Sequence, residues 1–120
     1  MEFPQANSGE VIDNRPPGSA PAGVHLITLV KTPAMEVKRL TLPKGREIPA
    51  HHAPGEITVQ CLQGRVAFTT AATTVELEAG RMLLLDAGTP HSLVGLEDSS
   101  LLVTINLRSF SPILEKISHQ

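Results

Sequence analysis

The sequence contains no tryptophan, no tyrosine and only three phenylalanines in 120 residues. Flat aromatic platforms are what stack nucleobases and sugar rings, so binding of that kind has little to build on. A basic excess is also missing: ten Lys and Arg stand against twelve Asp and Glu, a formal charge of −2. Nucleic acid is therefore not an expected partner. The single cysteine, Cys61, has no internal disulfide partner and fits a reducing compartment. No apolar run approaches the roughly 20 residues of a membrane helix. The first residues lack the positive flank and apolar stretch of a signal peptide. These absences lead to the expectation of a soluble, cytoplasmic chain with no membrane partner. Its length suits a single core.

What the chain does have is proline, glycine and β-branched residues. Residues 1–23 hold Pro4, Pro16, Pro17 and Pro21 among Gly9, Gly18, Gly23 and small polar side chains. Such a segment cannot hold a helix. It reads either as an extended arm over the surface or onto a partner, or as a loose terminus. From His25 onward the pattern is strand-like. Strands are expected at 25–30, 35–42, 57–62, 65–69, 74–79, 82–85, 92–96 and 101–107. The second of these slips in its alternation near Lys38-Arg39, as a bulge would cause. Met82 to Leu85 is continuously apolar and is expected to be buried on both faces. Only the tail reads as a helix: Ser111 is a good N-cap, Pro112 suits the first turn, and Ile113, Leu114 and Ile117 share a face. The chain thus divides into an arm (1–23), an all-β barrel or sandwich (24–108) and a short C-terminal helix (109–120).

Two stretches carry more than architecture. Gly80-Arg-Met-Leu-Leu-Leu-Asp-Ala-Gly-Thr-Pro-His91 resembles the second signature motif of the cupin superfamily. In that motif a glycine, a proline, a glycine, a histidine and an asparagine stand at fixed spacings. Gly80, Gly88 and His91 fall in register, Asp86 takes the place of the proline and Gly95 that of the asparagine. The first motif opens at Gly45 and reaches His51, and Gly64 looks like its close. Ala53 stands where its second histidine belongs and Ile57 where its glutamate belongs; His52 and Glu56 are each one residue away. The resemblance covers roughly residues 35–107. It implies a cupin-type double-stranded β-helix (a jelly-roll barrel), a homodimer, and a divalent metal such as iron, nickel, zinc or manganese inside the barrel.

Strand geometry says which residues could serve such a site. Residues i and i+2 share a face, so His51 and Ala53 point together, and His52 points away unless a bulge intervenes. Past the turn at Pro54-Gly55, Ile57, Val59 and Cys61 form one apolar face, expected to line the cavity. That leaves His51 and His91 as inward metal or ligand contacts. His52, Glu56 and Gln60 are candidate third ligands if the backbone re-aims them. Cys61, on an apolar strand, reads as a core residue rather than a nucleophile, because a reactive thiolate needs electropositive surroundings. Three functions stay open on this evidence. The barrel could bind a small, largely apolar ligand and hold a divalent metal loosely. It could be a metal-dependent dioxygenase, isomerase or decarboxylase acting on a small organic substrate. Or it could be a barrel without chemistry that works through protein–protein contact. Fold alone does not choose among them.

Overall fold

Alternating apolar residues drive nine strands to close one sheet over another. The computed structural model describes residues 6–15, 23–71 and 73–108. Its strands are β1 (His25–Lys31), β2 (Met35–Leu42), β3 (Glu47–His51), β4 (Ile57–Gln63), β5 (Arg65–Thr70), β6 (Thr73–Glu78), β7 (Met82–Leu85), β8 (His91–Gly95) and β9 (Ser99–Asn106). They form two antiparallel sheets, in the orders β1-β2-β9-β4-β7 and β3-β8-β5-β6. The all-β expectation is met, and no helix occurs among the described residues. The helix expected over 109–120 lies outside them. Residues 6–15 of the N-terminal segment are described: Arg39 on β2 donates to the Arg15 carbonyl at 3.0 Å.

Directly paired residues on antiparallel strands share a face, so the registers give the inner surface of the first sheet row by row. Leu40, Leu101 and Cys61 make one row; Lys38, Val103, Val59 and Leu83 the next; Lys31, Glu36, Ile105, Ile57 and Leu85 the third. The second sheet supplies Val66 with Gly95, then Phe68 with Leu93 and Ile48, then Thr70 with His91 and His51. The first row of each sheet closes one end of the barrel. There Leu42, Cys61, Val66 and Leu101 are fully buried. Ser99 ties the backbone across that end: its Oγ accepts from the Arg65 N–H at 2.9 Å and donates to the Glu97 carbonyl at 2.8 Å. Gly95 belongs to the same end. A Cβ there would sit 2.6 Å from the Pro43 carbonyl oxygen, which leaves no room for the asparagine of the motif.

Three expectations need correction. First, β2 pairs with β9 without interruption from Met35 to Leu42. The irregularity lies in its neighbour β1, where the register shifts between Thr28 and Val30. The alternation of β2 does not slip at all; Glu36 and Lys38 are inward-facing charges on the same face as Leu40 and Leu42. Second, β7 is not buried on both faces. It is the edge of its sheet, and Met82 and Leu84 are 58% and 60% exposed. Third, Glu47–His51 is a strand that the proline in its middle, Pro49, concealed. Its register shifts by one between Ile48 and His51, and Pro49, with no N–H to offer a ladder, sits where such a bulge is tolerated.

Candidate ligand-binding cavity

That bulge decides where the first histidine points. Ile48 faces inward opposite Leu93, and simple alternation would bring Ala50 inward next. The extra residue instead sets His51 directly across from His91. Their ring centroids are 4.2 Å apart in an edge-on arrangement. A loop contact holds the two together, since the Gly88 N–H donates to the Ala53 carbonyl at 2.9 Å. Gly88 adopts a φ of +77°, as its turn requires.

Each imidazole is also oriented by its own backbone. His51 Nδ1 lies 2.9 Å from the Pro49 carbonyl oxygen and His91 Nδ1 3.0 Å from that of Thr89. A carbonyl can only accept, so in both rings Nδ1 carries a proton, and in the neutral tautomer that this selects Nε2 is the acceptor. Phe68 stacks on the other side of His91, with centroids 5.4 Å apart and planes within 9°. His91 is 6% exposed. Its burial pushes the imidazole pKa below the ordinary value, against the Thr89 hydrogen bond, which favours the charged form, and with a small further push from His51 and His52. The ring is therefore neutral at physiological pH.

Both histidines open onto a cavity of about 500 Å³ between the sheets. Ile57, Val59, Phe68, Leu93, Val103 and Ile105 are among the apolar residues of its wall. Of the residues expected to line it, Ile57 and Val59 do so. Cys61 shares their face but lies one row deeper, in the closed end, where its thiol donates to the Gln63 carbonyl at 3.4 Å. Burial raises the pKa of that thiol, so it is a core group and not a nucleophile. His52 and Ala53 border the cavity beside His51. Glu56 borders a separate depression on the outer surface, with Thr58 and Asn106. Gln60 alternates away from Val59 and does not reach the cavity.

One set of residues in the wall was not anticipated. Glu36, Lys38 and Lys31 line the cavity from the first sheet. Lys38 Nζ lies 3.0 Å from Glu36 Oε1 and Lys31 Nζ 3.3 Å from Glu36 Oε2. The hydrogen bond from Lys38, aided by that from Lys31, holds the Glu36 carboxyl below the usual carboxylate range despite its burial. The signal was in the sequence: counting back in steps of two from Leu42 and Leu40 reaches Lys38 and Glu36.

A tightly held metal ion needs three or four protein ligands. Among the described residues no three His, Cys, Asp or Glu side chains converge closely enough to hold one. His51 and His91 present suitable Nε2 atoms, but the donor set is two imidazoles. It does not fit a firmly bound resident metal, and no chemical step is derived through one.

The geometry has counterparts among known proteins. A family model described as a cupin domain matches residues 38–105. A cupin superfamily protein from Desulfitobacterium hafniense superposes with a TM-score of 0.71 at 15% identity, covering 82% of this chain and 100% of that one. A conserved protein of unknown function from Streptococcus pyogenes gives 0.69 at 24% identity, with coverage of 87% and 100%. KdgF from a Halomonas species gives 0.70 at 18% identity, covering 85% and 96%. At these identities the likeness speaks for the fold alone. The sequence matches no curated protein. The motif around His91, the paired sheets and the family match over residues 38–105 have one common reading: this chain is a small cupin, a member of the cupin domain family.

Proposed function

We propose that the barrel binds a small, largely apolar molecule, with His51 and His91 supplying its polar contacts. The observation that carries this reading is a cavity of about 500 Å³, walled mainly by aliphatic side chains, into which two oriented imidazoles open. Their Nδ1 protons are committed to backbone carbonyls, so each Nε2 can accept from a hydroxyl or N–H of the ligand. Such a combination, an apolar enclosure with a few convergent polar groups, is the usual build of a small-molecule site. Isothermal titration with 1-octanol, a neutral apolar probe with one hydroxyl, tests it. Saturable binding is expected in the wild type and is lost in His91→Ala; equal affinity in the two proteins contradicts the role given to His91.

A second reading has one observation in its favour. Donation of Nδ1–H to a carbonyl is how metal-binding histidines are commonly oriented, and both rings have it. A divalent ion held loosely on the two Nε2 atoms, completed by water or substrate, would make the barrel a metal-dependent enzyme. Calorimetric titration of untagged, metal-free protein with Zn²⁺ or Ni²⁺ separates the readings: saturable binding that is lost in His91→Ala supports the second, no saturable binding the first.

The barrel acts as a homodimer in this account. Val11, Met82 and Leu84 are large apolar side chains that the single chain leaves exposed. Among the described residues β7 is an unpaired sheet edge, which a second copy can cover. Sedimentation equilibrium should give twice the mass of the 12.8 kDa chain; the monomer mass contradicts the assignment.

A further inference from the structure

The charged side chains in the cavity wall carry information that the histidines do not. A cavity built only for an apolar guest has no use for three ionised groups, since each costs desolvation. Glu36 is buried, with its side chain 11% exposed, whereas Lys38 is 26% and Lys31 59% exposed. Glu36 holds one ammonium on each carboxylate oxygen. One carboxylate against two ammonium groups leaves a formal charge of +1 on this wall. The carboxylate also fixes where that charge sits, because it anchors the Lys38 ammonium, reaching from the second row of the sheet, 3.0 Å from Glu36 Oε1 in the third. An ammonium has three donors, and the Glu36 contact takes one of those on Lys38. The other titratable groups bordering the cavity are His51, His52 and His91. They add no negative charge, so among the described residues nothing bordering the cavity cancels the excess.

From this arrangement we infer that the natural ligand is an organic monoanion, a carboxylate on an apolar body, whose charged head pairs with Lys38 and Lys31 while its body fills the space between Val59, Phe68 and Leu93. This rests on the cavity being a ligand site and adds the charge class of the ligand to it. The Glu36 carboxylate has a second consequence. It leaves room for one negative charge and disfavours a dianion, which would meet it as a like charge. The imidazole Nε2 acceptors, on the facing sheet, are free to take a hydroxyl elsewhere on the same molecule.

A matched pair of probes tests the charge separately from the cavity. Octanoate and 1-octanol have the same carbon chain and differ in the head group. Titrated calorimetrically into the wild-type protein at neutral pH, octanoate should bind about tenfold more tightly, the scale of one charge-assisted hydrogen bond. Raising the salt from about 0.05 to about 0.5 M should narrow that gap. Lys38→Met, which removes the charge and shortens the side chain by one atom, should abolish the preference for octanoate over 1-octanol. Equal wild-type affinities overturn the inference and leave the cavity reading intact, as does a preference for octanoate that survives Lys38→Met. Failure of both probes to bind overturns the cavity reading and this inference with it. The wild-type comparison and its salt response decide the matter even if the variant does not fold.

Discussion

The two ends of this barrel are built from the same strands and do opposite work. At the closed end, Leu42, Cys61, Val66 and Leu101 are fully buried, and Ser99 ties the backbone across them. At the open end, two rows further along the same strands, the inner face carries Glu36, Lys31, His51 and His91. Two of the strands change character on the way: Leu42 and Leu40 give way to Lys38 and Glu36 on β2, and Gly95 and Leu93 to His91 on β8, whereas the inner faces of β4 and β9 stay apolar from Cys61 to Ile57 and from Leu101 to Ile105. The difference teaches that stability and recognition are separated along the barrel axis. Apolar packing at one end holds the fold; polar groups, which add little to folding, are collected at the other.

The separation can be broken first at the closed end. Leu101→Ala removes a fully buried side chain between Leu40 and Cys61 and should cost about 3 kcal/mol. A urea titration should show a lower midpoint, while 1-octanol affinity, measured where the protein is still folded, stays within about twofold. A loss of binding as large as the loss of stability would mean that the ends are coupled. At the mouth the expected effect is smaller and of the other kind. Ala53 borders the cavity beside His51 and His91, so Ala53→His adds a third imidazole. Affinity for Zn²⁺ or Ni²⁺ should rise at least about tenfold, roughly 1.4 kcal/mol, with little change in the urea midpoint. No gain would mean that position 53 does not aim where its place on the cavity rim suggests.

The smallest effect is a pH dependence. Burial lowers the His91 pKa below its ordinary value of 6.5. The unfolded chain therefore binds a proton at a pH where the folded chain does not, and stability falls as pH drops from 6.5 towards the folded pKa, then levels off below it. Glu36 acts in a separate, more acidic window. Its lowered pKa gives stability that is present above 4.5 and lost as pH falls through the folded value. His91→Asn should flatten the upper window and leave the lower one, as read from urea midpoints across the two ranges. A slope unchanged between them would show that His91 does not titrate in its buried setting.

Most of the fold was legible because it rests on alternation and turns. Ile57-Thr-Val-Gln-Cys-Leu announces a strand with one buried face, and the structure buries Ile57, Val59 and Cys61 accordingly. Gly45, Gly64, Gly80 and Gly88, the glycines of the two motifs, all have positive φ. The pairing of strands across the barrel, by contrast, is a long-range matter that local patterns do not encode. β3 escaped because Pro49, which has no N–H to offer a ladder, interrupts the strand signal, yet its bulge is what aims His51. Lys38 was visible as a break in the apolar pattern and was assigned to a bulge in its own strand. The bulge belongs to β1, and the break is real chemistry: a charged pair pointing inward. Similarly, Met82 to Leu85 carries the composition of a central strand but lies at an edge. Composition reports that a residue would gain from burial, and only topology, or a partner, says what would bury it.

The claim on which the rest depends is that the open end is a binding site and the closed end is not. Side-chain methyl resonances report on both at once in a single titration with 1-octanol. Saturable shifts are expected at Ile57, Val59, Leu93 and Val103, which line the cavity, and none at Leu42 or Leu101, which are buried at the other end. Shifts that fail to saturate, or that are as large at Leu101 as at Val59, would contradict it.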